Sequence, residues 1–261
     1  MRDYISHSQV STFLRCGEQY RQRYIEGRIQ PPAIAMLKGS AVHKGAEHNW
    51  TQKIDSKIDL PKKDIIELTV VDFEERAKEE VFLSQDEKTI GKDKLIGDAK
   101  DSVANIALIY ATTMAPTIQP IHSELTIDTE ISGHKVKTIL DLVDDKNTIR
   151  DMKVTGKSKT QADIDASLQL TFYALAWHSL KGEIPGGLVI DNLVEKKVPE
   201  YKTFATTRSD VDMFRAMKTI EAIAYAIKSG VFLPPAEGAW ICSPKFCGYY
   251  GSCDYTKKLT F

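Results

Sequence analysis

Three side chains near the middle of the sequence have the types and spacing to do chemistry together. Asp141 closes the alternating run Lys137-Thr138-Ile139-Leu140-Asp141, and Asp151 and Lys153 stand two apart in a second run, after the turn-like Asp144-Asp145-Lys146-Asn147. The stretch reads as a β-hairpin. Period-two alternation puts Asp151 and Lys153 on one face of their strand, and a hairpin brings Asp141 beside them. Two carboxylates and an ammonium then converge on a small volume. Carboxylate oxygens suit hard divalent cations such as magnesium or manganese, and a nearby lysine stabilises charge building on a phosphate or an attacking hydroxide. This local chemistry points to metal-dependent phosphodiester cleavage.

An Asp-x-Lys triplet alone is common, and most such triplets are solvated strand faces. Its company here narrows the reading. Upstream lies Gly39-Ser40-Ala41-Val42-His43-Lys44-Gly45-Ala46-Glu47 and downstream Gln169-Leu170-Thr171-Phe172-Tyr173, both on helical patterns. This ordered set resembles the PD-(D/E)XK nuclease superfamily, in its RecB-like branch. Gly39 and His43 match that branch's Gly-x-x-x-His motif, with Glu47 one turn on along the same face. Asp141 matches its first metal-binding aspartate, Asp151 and Lys153 its (D/E)-x-K signature, and Gln169 and Tyr173 its Gln-x-x-x-Tyr motif. Glu124 stands on the preceding strand candidate, where relatives often carry a glutamate. The opening Ser6-His7-Ser8 through Cys16 to Tyr20 resembles the Ser-x-Ser…Cys-Pro…aromatic start of RecB-like and CRISPR-associated adaptation nucleases, with Gly17 in place of the proline.

The resemblance implies an α/β fold: a restriction-endonuclease-like core with a mixed central sheet flanked by helices. It also implies a DNA exonuclease acting at single-stranded ends, in recombination, repair or CRISPR adaptation of a bacterial, archaeal or viral genome. His43, Asp141, Asp151 and the Met152 carbonyl are expected to hold one or two magnesium or manganese ions. Lys153 is expected to orient or deprotonate the attacking water, and Gln169 and Tyr173 to position substrate or the lysine. Asp151→Ala or Lys153→Ala is expected to abolish cleavage and leave the fold intact. The alternatives are a non-catalytic DNA-binding module with a redox-sensitive cluster, and a structural metal-binding helical protein whose acidic hairpin is ordinary surface.

Cys16 lies near the start, Cys242, Cys247 and Cys253 lie near the end, and no cysteine stands between. One four-thiolate site joining the two ends fits this distribution. Zinc knuckles prefer two to four residues between paired cysteines, whereas the gaps here are four and five. Iron–sulfur clusters accept more varied spacing. Zinc, free thiols and disulfides remain alternatives, though disulfides need an oxidising compartment and Met1-Arg2-Asp3-Tyr4-Ile5 lacks the apolar core of a signal peptide. The cysteine pattern is similar to the iron–sulfur subset of the RecB-like branch, including CRISPR-associated exonucleases and the AddB nuclease domain, which implies a [4Fe-4S] cluster.

The 261 residues are 42% hydrophobic and 27% charged, an ordinary globular balance, and no run approaches a membrane span, so a cytoplasmic protein is expected. A formal net charge of −1 leaves phosphate contacts to local patches: Arg15, Arg21, Arg23 and Arg28, and Lys153, Lys157 and Lys159. Helices are expected over 6–26, from Gly39 to Trp50, over 62–82 and 92–114, and then over 163–181 and 209–229. Strands are expected near 121–130, 134–143, 147–154, 187–195 and 200–206. One nuclease domain over 1–261 would comprise N-terminal helices (1–50), a helical insertion (60–116), a catalytic core (120–206) and a C-terminal helix with a cysteine-rich tail (207–261). No Walker A loop is present, so the chain is expected to act alone or with recombination or CRISPR-adaptation partners. Relatives form both monomers and rings.

Overall fold

The computed structural model describes residues 3–256; residues 1, 2 and 257–261, the last being the end of the cysteine-bearing segment, lie outside them. The chain opens with α1 (His7–Arg15) and α2 (Gly17–Tyr20), which runs on as a π-helical turn, Arg21–Ile25. The single helix expected over 6–26 is therefore broken. Cys16 takes an extended conformation, and its Sγ accepts a hydrogen bond from Gln19 N at 3.2 Å, capping the second helix. Next come α3 (Ile34–Ser56), α4 (Lys62–Lys78), the short α5 (Gln85–Ile90) and α6 (Lys92–Ile109). Helix α3 starts five residues before the expected Gly39, and α5 was not expected at all. Ala33, the residue preceding α3, makes no side-chain cap, so the sequence carries no start signal there.

Strands β1 (Pro120–Ile131), β2 (His134–Asp144) and β3 (Thr148–Thr155) follow. Helices α7 (Gln161–Asp165) and α8 (Leu168–Lys181) cross to β4 (Gly187–Val194), which turns into β5 (Glu200–Thr206) and then α9 (Asp210–Lys228). The single helix expected over 163–181 is split because Ser167 offers its own oxygen to Leu170 N and starts a second helix. Among the described residues the strands form one sheet, ordered β1-β2-β3-β4-β5, antiparallel except for the parallel β3–β4 pair.

Local chemistry sets the hairpins. Ser132 and Gly133 both take positive φ, the requirement of a tight primed turn between β1 and β2. Asp144 Oδ1 accepts from Lys146 N and Thr148 N at 3.0 and 2.9 Å, folding the β2–β3 turn around a side chain.

The sheet has a core on each face. Val10, Leu140, Phe172, Trp177 and Ile220 belong to one, formed with α1, α8 and α9. Trp50, Phe73, Val103, Leu142 and Met152 belong to the other, formed with α3, α4 and α6. The result is three layers, helix on sheet on helix. In α4 the buried face is Ile65, Thr69, Phe73 and Ala77, whereas Leu68 and Val71 point outward. Close packing of α3 on α4 depends on Gly45, where an added Cβ would stand 1.9 Å from Thr69 Oγ1.

Candidate active site

Strands β2 and β3 pair at Leu142–Arg150 and Val143–Ile149, and the candidate residues lie beside the end of this short ladder. Within β2, Leu140 packs in the α8-side core and Leu142 in the α3-side core, so the two-residue alternation breaks at Asp141. Across β1, Glu124 takes φ +51°, a conformation rare for a residue with a side chain. Two irregular residues on neighbouring strands thus turn carboxylates toward α3. One ligand atom each from His43, Glu124 and Asp141 lies within 4.8 Å of the others. His43 Nε2 is 2.6 Å from the Met152 carbonyl oxygen and 3.5 Å from Asp141 Oδ2, which also accepts from Met152 N at 3.1 Å.

Asp151 is fully buried on β3. Its Oδ1 accepts from Lys153 Nζ (2.9 Å), Gln169 Nε2 (2.7 Å) and Tyr173 Oη (2.9 Å), and Gln169 also donates to Tyr173 Oη at 2.8 Å. Residues 169 and 173 share a face of α8, and that face grips the Asp151 carboxylate. Oδ2 lies 2.7 Å from Lys153 Nζ, an ion contact outside hydrogen-bond geometry, and accepts no hydrogen bond. One oxygen is therefore fixed while the other keeps lone pairs for a further partner. Asn192 on β4 steadies the lysine from behind, donating to the Lys153 carbonyl at 3.2 Å and accepting from Lys159 N at 2.9 Å.

These groups perturb one another. Burial, with the charge of Asp151, pushes the Asp141 carboxyl up to about 7, against the opposing pull of His43 and Lys153. Desolvation also raises Glu124, although part of that residue reaches solvent. Burial lowers the Lys153 ammonium, but Asp151 and Asp141 outweigh it and hold the group above its ordinary value. Tyr173 is raised well beyond the ordinary phenol by burial and Asp151, which keeps it a donor.

The structure brings His43, Asp141 and Met152 together, with Asp151, Lys153, Gln169 and Tyr173 adjoining, and Glu124 stands with His43 and Asp141 in one close group. Glu47 instead pairs with Lys44 at 2.8 Å. Gly39 has nothing within 4 Å of a built Cβ, so the protein's own packing does not require glycine there. Glu124 reads in the sequence only as a strand glutamate and not as a ligand, and Asn192 escaped sequence reasoning. For Asn192 the available signal was the polar pair Asp191-Asn192 inside an otherwise apolar strand.

The family model of the PD-(D/E)XK nuclease superfamily matches residues 4–254. The chain belongs to this superfamily. A solved structure of a candidate exonuclease from Eubacterium rectale aligns over 99% of this chain and 90% of its own, with a TM-score of 0.61 and 15% identity, a likeness of fold. A second, SSO0001, aligns over 96% of both chains at a TM-score of 0.36 and 9% identity, too distant to support an argument. The sequence matches no curated protein.

A divalent cation, common to PD-(D/E)XK nucleases, fits the donors present: carboxylate oxygens, one imidazole nitrogen and a backbone carbonyl, with the Asp151 Oδ2 lone pairs close by. The four cysteines carry free thiols, and Cys16, Cys242, Cys247 and Cys253 line a single cavity between α2 and the turns after α9. Burial raises the Cys16 and Cys247 thiols, and neighbouring thiols raise them further. Of the N-terminal arginines, Arg21 pairs with Glu18 and Glu26, and Arg28 with Glu26, so these charges are partly spent within the protein. Among the described residues, no helix is long and apolar enough to cross a membrane.

Proposed function

We propose that this PD-(D/E)XK nuclease is a metal-dependent DNA exonuclease that hydrolyses phosphodiester bonds at single-stranded ends. The observation that carries the reading is the Asp151 carboxylate, gripped by three donors on one oxygen and in ion contact with Lys153 on the other, one residue before the Met152 that touches His43 and Asp141. His43, Asp141, Glu124, Asp151 and the Met152 carbonyl would hold magnesium or manganese. Bound there, such an ion supplies an activated water and neutralises charge on the scissile phosphate. Lys153, charged and with its side chain 34% exposed, orients the water and donates to the phosphate as negative charge builds. Gln169 and Tyr173 act through Asp151, fixing its rotamer. The exonuclease designation of the Eubacterium rectale protein supports the choice of exonuclease.

Cys16, Cys242, Cys247 and Cys253 would hold a [4Fe-4S] cluster with a structural role, joining the N-terminal helices to the final turns. The gap of five residues between Cys247 and Cys253 is longer than the usual zinc pair, which favours a cluster over zinc. Recombination, repair and CRISPR adaptation are the settings in which such an enzyme would work. The test is release of end label from single-stranded DNA with manganese, magnesium or EDTA. Metal-dependent release supports the reading; tight binding without cleavage under any metal identifies a recognition module instead.

A further inference from the structure

Two adjoining pockets, both walled by His7 and Gln169, open beside the Asp151–Lys153 pair. The first contains Lys153, Lys159 and Ser11. The second contains Ser6, Ser8, Lys137, Thr138 and Tyr173. Thr138 is only 4% exposed, yet its hydroxyl has no hydrogen-bond partner. A buried hydroxyl left unpaired costs free energy that a ligand would recover.

The rest of this pocket has the chemistry of an anion site. Helix α1 begins there, and a helix N-terminus offers unpaired N–H groups and the positive end of the dipole. The hydroxyls of Ser6 and Ser8 stand 3.0 Å apart. Lys137 is steadied by Asp128 at 3.5 Å and by the ring of Tyr4, its ammonium 5.4 Å from the centroid. His7 is fixed by Ser11 Oγ at 2.8 Å from Nε2 and by edge contact with Phe172. Burial, and then the charge of Lys153, bring its pKa down to about 4, so His7 is uncharged at neutral pH and leaves the positive charge here to the lysines.

We infer that the Ser6–Ser8–Lys137–Thr138 pocket is a phosphate subsite for the substrate strand, seating a phosphate that neighbours the one cut beside Lys153, with His7 as the rigid wall between them. The inference rests on the nuclease reading. Its ligand chemistry is a phosphate, either an internal diester or a terminal monoester.

The test is anisotropy of labelled oligothymidylate, 5′-phosphorylated or 5′-hydroxyl, in EDTA, where nothing is cut. Thr138→Val should weaken binding about 5–10-fold, as expected for loss of a hydrogen bond to a charged group, and Thr138→Ser should restore it. Lys137→Met should lower the salt-dependence slope by about one. Thr138→Val should melt no lower than wild type, since it removes an unpaired buried hydroxyl. Weakening confined to the phosphorylated oligonucleotide assigns the terminal phosphate, and weakening of both assigns an internal one. Equal binding by Thr138→Val and wild type, or no binding by wild type, overturns the inference. Because binding is read without metal, absence of cleavage in a separate manganese assay counts against the nuclease reading alone.

Discussion

The Asp151 carboxyl accepts three side-chain hydrogen bonds on one oxygen and none on the other. Alanine at this position would strand the Lys153 ammonium and the Gln169 and Tyr173 donors. Removing one partner of a buried ion pair costs about 3–5 kcal/mol, and the 34% exposure of Lys153 puts this case at the low end. Asp151→Ala should therefore lose stability as well as cleavage, contrary to the intact fold expected from sequence. Asp151→Asn keeps the shape and should cut at least about 100-fold more slowly with a melting temperature near wild type, checked by label release and thermal unfolding. Asp141 gives a pH prediction. Its folded pKa of about 7 exceeds the unfolded value of about 3.9, so the stability it lends the metal-free protein is complete below about pH 4 and lost as pH rises through about 7. A divalent cation needs the deprotonated carboxyl. The rise in melting temperature produced by manganese should accordingly grow from about pH 6 to about pH 8, and that growth should vanish in Asp141→Asn.

At the scale of elements, what was legible in the sequence followed from local rules. The β2–β3 turn appeared because Asp144 and Asn147 are turn residues, and the shared face of Gln169 and Tyr173 followed from helical spacing. What was not legible depended on conformations that no neighbour in the sequence announces. The early start of α3 lacks a cap, Cys16 breaks a helix that composition alone would continue, and Glu124, which stands by His43, takes a positive φ. Nor did the sequence show that a helix face grips one Asp151 oxygen, or that Glu124 stands within 4.8 Å of His43 and Asp141. Gly39 offers an element-scale test. It lies within α3 with open space around it, so Gly39→Ala should stabilise the fold by about 0.5–1 kcal/mol, read from the urea midpoint.

Across the whole molecule, two cores share one sheet, and the candidate site lies where β2 and β3 adjoin both of them. Helices from both outer layers reach it: α3 brings His43 from one side, and α8 brings Gln169 and Tyr173 from the other. The cysteine cavity lies between α2 and the turns after α9, where the proposed cluster would tie the two ends together. A cross-link closing so long a loop can contribute on the order of 4–5 kcal/mol. Cys16→Ser or Cys253→Ser should therefore lose the brown colour of an anaerobically purified cluster and unfold at markedly lower denaturant. A colourless wild type with stoichiometric zinc would contradict the cluster. The central claim is metal-dependent cleavage at the Asp151–Lys153 centre. Its most direct test is degradation of end-labelled single-stranded DNA by wild type and Asp151→Asn, each with manganese, magnesium or EDTA. Label released by wild type alone, and only with metal, is the predicted result; equal release by both proteins, or release in EDTA, would contradict it.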